Sequence, residues 1–339
     1  MIETVASAHL FADETLRIQK NRLMPSWVED AGGQGEDFFK TASAQIGSNL
    51  LPRICITTGV HGDELEGQYV CYELIRRIEA EKEKLAGVVD VYPGVNPLGI
   101  DNVMRSLPDF DLDMNRTFPG DPKGNMYERI ADALVRDLEG ADLVVDIHAS
   151  NIYLTEVPQI RINVLHKDWL VPLASHMNVD FLWVHDNSTV LSSTLAFTMN
   201  SLNTPTLVVE MGVGMRITKS VGDQLIDGLF ETMRHLGIWK GSVRRVRRPV
   251  ISDNPCDVDF LNAPTGGVFV KYMDAGTKVA EGDLIGELVD PLRGTVRAEI
   301  RAKQSGWLFT VREYPMVQEG SLLGRILIGS EGVDPAVPA

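Results

Sequence analysis

A chain of 339 residues and 37.4 kDa is longer than one ordinary hydrophobic core requires, so its length predicts two domains. Hydrophobic residues make up 44% of the chain and charged residues 23%, which is typical of globular proteins that function in water. The formal net charge of −15 argues against nucleic-acid binding and binding to anionic membranes, because both require a basic surface.

The sequence also indicates a cellular compartment. No stretch approaches the roughly 18–20 apolar residues of a membrane span, and the N-terminal sequence MIETVASAHLFADETLR lacks the pattern of a signal peptide. The three cysteines, Cys55, Cys71 and Cys256, are odd in number and have no metal-site spacing. We therefore expect buried free thiols in a protein of the reducing cytoplasm.

Strands and helices are predicted to alternate from Arg53 onward. The first fifty residues show no regular pattern, and EDAGGQGED within them predicts a loop. Strands are predicted at RICITTG, VVDVYPGV, ADLVVDIHAS, RINVLH, DFLWVH and TPTLVVEMG, and helices at 64–84, 127–139, 169–177 and 220–238. A loop of about thirty residues, 96–125, is long enough to indicate a functional role. The alternation predicts an α/β fold with a mixed, mostly parallel sheet and helices on both faces.

The C-terminal part of the sequence repeats itself. The segment beginning at Ala263 aligns with the one beginning at Ala302, so that Gly267 matches Gly306. Such a repeat predicts a small all-β barrel-sandwich over residues 256–330. The predicted domains are then 1–245 and 256–330, with a solvated, arginine-rich linker at 246–255 and a tail at 331–339. The half-motif resembles biotinyl- and lipoyl-carrier domains, but the hairpin DPLRGTV presents Arg293 where a carrier has its lysine, which excludes a carrier role.

Metal-binding side chains follow the ends of three predicted strands. His61 and Glu64 lie just after the first strand, His148 ends another, and Glu210 ends a third. Ligands of parallel sheets bind beyond the carboxyl ends of the strands, so these side chains are expected to meet. Two histidines and a glutamate match a catalytic zinc site, which has three protein ligands and an open fourth position.

The other groups that amide hydrolysis needs are also present. Glu210 is a carboxylate on an otherwise apolar strand and is a candidate general base. The long loop supplies Arg105, Asn115 and Arg116, and a guanidinium group suits a carboxylate or a developing oxyanion. DFDLDMN within that loop lacks the ligand order of a calcium-binding EF-hand.

The motifs HGDE, NP with a downstream arginine, DMNR, IHAS and VVEMG together resemble the succinylglutamate desuccinylase/aspartoacylase family of the zinc-carboxypeptidase superfamily. The resemblance covers about residues 50–240, and the repeated β-domain also fits it. It implies an enzyme that removes an acyl group from an N-acyl amino acid or a related small compound. Carried over by position, it implies one Zn²⁺ per chain on His61, Glu64 and His148, with Glu210 as the catalytic glutamate. It further implies Arg105 as the carbonyl-polarising arginine, and Asn115 with Arg116 as the pair that holds the substrate carboxylate.

Several alternatives remain open on the sequence. The same residues serve a metallocarboxypeptidase that acts on a peptide C-terminus, and a non-catalytic relative would keep the fold and the metal. Cobalt or manganese would fit the same donors, and a symmetric homo-oligomer is compatible with the chain. His166, His176 and His185 are expected to have structural or surface roles. The acyl group and the amino-acid half of the substrate are not readable from these motifs.

Overall fold

The computed structural model describes residues 1–10, 15–30, 51–108, 111–185 and 193–333. Most of the predicted loop EDAGGQGED lies outside these ranges. Within them, none of the helices is both long enough and apolar enough to cross a membrane.

The strands are numbered in chain order. They are β1 (Ile2–His9), β2 (Thr15–Leu23), β3 (Arg53–Thr58), β4 (Val88–Tyr92), β5 (Leu143–Ala149), β6 (Leu154–Asn163), β7 (Phe181–His185), β8 (Thr206–Gly212), β9 (Val250–Ser252), β10 (Val258–Asn262), β11 (Gly267–Lys271), β12 (Thr277–Val279), β13 (Leu284–Asp290), β14 (Thr295–Arg301), β15 (Gly306–Arg312), β16 (Met316–Val317) and β17 (Leu322–Ile328).

The α-helices are α1 (Ser26–Asp30), α2 (Glu66–Ala80), α3 (Pro97–Asn102), α4 (Met126–Leu138), α5 (Lys167–Ala174), α6 (Leu195–Ser201) and α7 (Lys219–His235). Short 3₁₀ turns cover Lys82–Lys84, Met114–Arg116, Val164–His166 and Pro255–Asp257.

One large mixed sheet forms the centre of the molecule, in the order β1-β2-β4-β3-β5-β8-β6-β15-β17-β10. The α/β prediction is confirmed. Strands are parallel from β4 through β3 and β5 to β8 and again from β6 through β7 to β9, and the other pairs of this sheet are antiparallel. Strand β6 is antiparallel to β8. It follows β5 after only a few residues, and a parallel pair would need a crossover of a dozen residues or more.

Alternate residues of the central strands enter two different hydrophobic cores. On β3, Ile54 and Ile56 pack on one side and Cys55 on the other. Helices α2, α5 and α7 cover the first face, whereas α4 and α6 cover the second. Helices therefore lie on both faces, as the sequence predicts.

The described residues before β3, 1–10 and 15–30, are more regular than the sequence predicts. Strands β1 and β2 form an antiparallel hairpin, and β2 extends the sheet by pairing with β4. The inward positions of β2 include Lys20, whose buried ammonium binds the Asp137 carboxylate at 2.8 Å. A lysine on the buried face hides the apolar alternation that identifies a strand.

The predicted long loop at 96–125 contains a short helix and a 3₁₀ turn. Asn96 caps α3 by accepting a hydrogen bond from the Gly99 amide at 2.9 Å, and Pro97 occupies the first helical turn. The 3₁₀ turn at Met114–Arg116 begins at Asp113, whose carboxylate accepts from the Asn115 amide at 2.8 Å. These caps give the segment a defined shape.

The two sequence repeats exchange strands. The first copy supplies β11, β12 and β13, and the second supplies β15, β16 and β17. Strand β12 pairs with β15, whereas β16 pairs with β11 in a second, antiparallel sheet of order β14-β13-β11-β16. Strand β15 also pairs with β6, so the C-terminal strands continue the large sheet.

The arginine-rich segment before the repeats is held by carboxylates. Arg244 binds Asp227 at 3.2 Å, and Arg247 binds Asp180 at 3.3 Å. Strand β9, which lies inside the predicted linker, pairs with β7. The segment therefore packs against the protein, in contrast to the solvated linker that the sequence predicts.

The cysteines are free thiols, but only two of them are buried. Burial raises the pKa of Cys55 and of Cys71 to about 12, which keeps both protonated and unreactive. Cys256 is exposed, so the prediction that it is buried is wrong. It lies in the 3₁₀ turn that directly precedes β10.

Candidate active site

His61 and Glu64 occupy the turn between β3 and α2. The Nδ1 atom of His61 lies 2.9 Å from Oε1 of Glu64. Between them, Gly62 packs directly on the backbone of Gly99, where an added Cβ would come within 2.0 Å of the Gly99 carbonyl carbon. A glycine is therefore required for this turn to fit beneath α3.

His148, at the end of β5, meets the same pair. Its Nδ1 atom lies 3.2 Å from Nδ1 of His61 and 2.9 Å from Oε2 of Glu64. One donor atom from each of the three residues falls within 4.8 Å of the others, and all three side chains are buried. The structure thus brings the three predicted metal ligands together.

Two further carboxylates face the far side of each imidazole. Nε2 of His61 lies 3.0 Å from Oδ1 of Asp113, and Nε2 of His148 lies 2.9 Å from Oδ2 of Asp146. With the protons on Nε2, both Nδ1 atoms are unprotonated and present lone pairs that can bind a metal ion beside Glu64. Carboxylates in this position fix the tautomer of metal-binding histidines, so the arrangement fits a zinc ion.

The charges within this cluster stabilise one another. Burial opposes ionisation of Glu64, but His61 and His148 hold the pKa of its carboxyl well below the ordinary value. Burial likewise opposes protonation of His148, yet Asp146 and Glu64 raise the pKa of the imidazole. The group therefore combines two imidazoles with an ionised carboxylate, a donor set that suits a divalent cation.

Glu210 lies beside this cluster on β8, directly opposite His148 of β5. Thr206, Val208 and Glu210 alternate along β8 and line one cavity of about 250 Å³. Burial raises the pKa of Glu210, and the Arg161 guanidinium at 3.2 Å acts in the opposite direction. A carboxyl with a raised pKa next to a group of candidate metal ligands is suited to accept and return a proton.

The three predicted loop residues line the same cavity as His61, His148 and Glu210. Arg105 donates to Glu64 at 2.8 Å and approaches Asp113 at 3.4 Å. The Asn115 side chain accepts from the Leu195 amide at 2.9 Å, which joins the loop to the start of α6. Arg116 donates to the Asn115 carbonyl at 2.7 Å.

The cavity also contains residues for which the sequence predicts no role in the site. Arg161 and Asn163 reach it from the cavity face of β6, and His166 and His185 line it as well. The last two were expected to be structural or surface residues. His176 fits that expectation, because it stacks on His235 and lies 3.7 Å from Glu231.

A signal for one of the missed residues is present in the sequence. Asp146 precedes His148 by two positions, which places both side chains on the same face of a strand. Arg161 carries no such signal, because its strand also contains Glu156 and Gln159.

Comparisons with known proteins show which family this chain resembles. Residues 51–236 match the model of the succinylglutamate desuccinylase/aspartoacylase catalytic domain. The N-alpha-acetyl-L-2,4-diaminobutyric acid deacetylase of Halomonas elongata is 26% identical to this chain over 280 residues, 78% of each protein.

Solved structures share the fold. A succinylglutamate desuccinylase from Silicibacter sp. superposes with a TM-score of 0.75 at 22% identity, covering 97% of this chain and 93% of that one. The product-bound ectoine utilization protein EutE (DoeB) from Ruegeria pomeroyi gives 0.74 at 20% identity, with 95% and 92% covered. Both likenesses extend over the catalytic region and the C-terminal strands.

Proposed function

Because this chain belongs to the succinylglutamate desuccinylase/aspartoacylase family, we propose that it is a zinc-dependent amide hydrolase that deacylates an N-acyl amino acid or a related small compound. The observation that carries the proposal is the cluster of three buried candidate metal ligands, two of which, His61 and His148, line the same cavity as Glu210. The related deacetylase and desuccinylase are named for reactions of this type.

His61, Glu64 and His148 would hold the zinc ion, with Asp113 and Asp146 orienting the two imidazoles. A zinc ion bound there supplies Lewis acidity, which makes water more acidic and polarises an amide carbonyl.

Glu210 takes the proton of the attacking water as that water adds to the amide carbonyl. The same carboxyl then delivers the proton to the departing nitrogen, which leaves as an amine. Its raised pKa favours the first half of this cycle, because a more basic carboxylate takes up the proton of the water more readily. The Arg161 guanidinium keeps Glu210 sufficiently ionised to begin the next cycle.

The arginines act on the substrate. Arg105 stabilises the negative charge that develops on the carbonyl oxygen, and Arg116 binds the free carboxylate of the amino-acid half. Asn115 sets the position of Arg116 through the hydrogen bond that anchors its loop to α6. Fixing the carboxylate before the attack removes orientational freedom that would otherwise add to the barrier.

The test measures bound metal and amine release together. We expect about one zinc per chain in the purified protein, and release of free amine from a pool of N-acyl amino acids. His61→Ala should lose both the metal and the activity, since one of the three donors is gone. His176→Ala is the matched control, because His176 belongs to the same domain but lies outside the cavity.

Two results would contradict the proposal. A protein without metal after zinc supplementation would overturn the metal site. A zinc-loaded protein that cleaves a dipeptide series but none of the N-acyl amino acids would favour a carboxypeptidase.

A further inference from the structure

A row of charged residues crosses the sheet from Glu210 to the C-terminal strands. Arg161 on β6 binds Glu210 at 3.2 Å and also binds Glu156 at 2.9 Å. Arg325 on β17 binds the same Glu156 carboxylate at 2.6 Å, and Thr310 on β15 donates to it at 3.2 Å. Two guanidinium groups and two carboxylates thus alternate along a continuous chain of contacts.

The strand register explains why these side chains meet. Arg161 pairs with Val208, which lies two residues from Glu210 on the same face of β8, and long side chains reach across such a diagonal. A register shift between Glu156 and Gln159 inserts one extra residue into β6. Without that shift Glu156 would point to the opposite face from Arg161, because side chains alternate along a strand.

The same row continues through backbone pairing into the C-terminal strands. Thr310 of β15 pairs with Glu156 of β6, and Arg325 of β17 pairs with Thr310. The Glu156, Thr310 and Arg325 side chains therefore stand side by side on three adjacent strands.

Burial makes the row rigid. The Glu156 side chain is fully buried, and that of Arg325 is 16% exposed. The Trp183 ring lies 5.9 Å from the Arg161 guanidinium and 5.6 Å from that of Arg325, so it packs beside both. Each guanidinium has a carboxylate partner, and removing one member would leave an opposite charge buried without compensation.

We propose that Arg161 positions the Glu210 carboxylate, and that Arg325 contributes to this from the C-terminal strands by holding Glu156 in place. Arg325 draws one side of the Glu156 carboxylate toward β17. Without it, Glu156 binds Arg161 alone and pulls the guanidinium away from Glu210. Arg161 and Arg325 are positioning residues in this scheme. The inference rests on the proposed function for the role of Glu210.

The experiment compares Arg325→Met, Arg325→Lys and wild type in the full-length, zinc-loaded protein. Methionine keeps much of the side-chain length but removes the charge. We expect kcat of Arg325→Met to fall about tenfold or more with KM nearly unchanged, because displacement of a catalytic group by an ångström lowers the rate without weakening substrate binding. Lysine keeps the positive charge but places it in a different geometry, so Arg325→Lys should keep more of the wild-type kcat than Arg325→Met does.

Glu313→Gln is the matched control. Glu313 also joins the two parts of the sheet, by accepting from Thr155 at 3.3 Å and from Lys271 at 2.8 Å, but its contacts do not lead to Glu210. We expect its kcat to remain at the wild-type level. Equal losses in Glu313→Gln and Arg325→Met would show a merely structural role and overturn the inference.

Crystal structures of wild type and Arg325→Met provide a readout that does not depend on activity. We expect the Arg161–Glu210 contact to open in the variant, and an unchanged contact would overturn the inference. If Arg325→Met does not fold, the same measurements on Arg325→Lys and Thr310→Val decide. Absence of deacylase activity in wild type would contradict the proposed function alone, since the structures still test the positioning.

Discussion

At the scale of single residues, the carboxyl of Glu210 determines how the proposed reaction responds to pH. Glu210 accepts a proton only when ionised, and burial raises its pKa above the ordinary value of 4.5. As the pH falls through that raised pKa, the ionised fraction falls and kcat/KM should fall with it. The acid limb of the pH profile of kcat/KM is therefore expected above pH 4.5.

Glu210→Gln identifies the source of that limb. We expect kcat to fall by about 10²-fold or more, in line with the contribution of a positioned acid–base group. The residual activity should lose the Glu210 limb, while the metal content stays at the wild-type level. Near-normal turnover in this variant would remove Glu210 from the mechanism.

Asp146 should influence zinc affinity although it is not one of the proposed zinc ligands. Its carboxylate lies 2.9 Å from Nε2 of His148 and accepts a hydrogen bond from Thr57 at 2.8 Å. Asp146→Asn keeps the shape but weakens the orientation of the imidazole, so zinc affinity should fall about 10- to 100-fold. Competition with a chelator measures this directly.

The control for Asp146 is Asp142→Asn. Asp142 lies at the opposite end of β5, where its carboxylate accepts from the Arg53 amide at 2.7 Å. Zinc affinity should not change in this variant. A similar loss in both variants would indicate general damage to the strand.

The sequence predicted the members of the site better than their surroundings. His61, Glu64 and His148 could be found because each lies at or just beyond the carboxyl end of a strand, and the carboxyl ends of parallel strands share one edge of a sheet. Arg161 and His185 could not be placed, because the direction of a side chain depends on register. The extra residue in β6 that turns Glu156 toward Arg161 leaves no mark in a local pattern.

At the scale of elements, a buried ion pair fastens the N-terminal hairpin to the sheet. Asp90 of β4 has a fully buried side chain and accepts from Arg22 of β2 through two contacts of 2.8 Å. Lys20 lies 3.7 Å from the same carboxylate. The hairpin was not predicted from sequence, because its cohesion comes from charges on strands distant in the chain.

Asp90→Asn should therefore lower stability. The substitution leaves the basic groups of Arg22 and Lys20 beside a neutral amide, and we expect the free energy of unfolding to fall by about 2 to 3 kcal/mol. Chemical denaturation of both proteins measures the difference. Glu299→Gln is the comparison, since its pair with Arg301 is half exposed and such pairs contribute little. Equal stability of Asp90→Asn and wild type would show that the ion pair does not hold the hairpin.

At the scale of the whole molecule, the two predicted domains share one sheet. The sequence repeat predicted strands in the C-terminal part, and the structure contains them. The pairing of β15 with β6 could not be read from the repeat, because it depends on which edge of the first region is left open. An aromatic cluster covers this junction, where the Phe309 ring lies 5.0 Å from Phe181 and 5.6 Å from Trp183.

A shared sheet and a shared core predict that both regions unfold together. Phe309 belongs to the C-terminal strands and is fully buried, whereas Phe181 and Trp183 belong to the catalytic region. Phe309→Ala should therefore destabilise the whole chain by about 3 to 5 kcal/mol, the usual effect of removing a buried phenylalanine ring. Tryptophan fluorescence, far-ultraviolet circular dichroism and loss of bound zinc should follow one transition, which moves to lower denaturant as a unit.

The matched variant for this experiment is Phe260→Ala, which removes the same side chain from an exposed position on β10, the strand beyond β17 in the same sheet. It should shift the transition far less than Phe309→Ala does, because little apolar area leaves the core. Independent domains would instead give two separate unfolding transitions in wild type, and Phe309→Ala would shift only one of them. A single transition would mean that β17, which carries Arg325, does not unfold separately from β6, which carries Arg161. The C-terminal region would then be part of the structure that supports the active site.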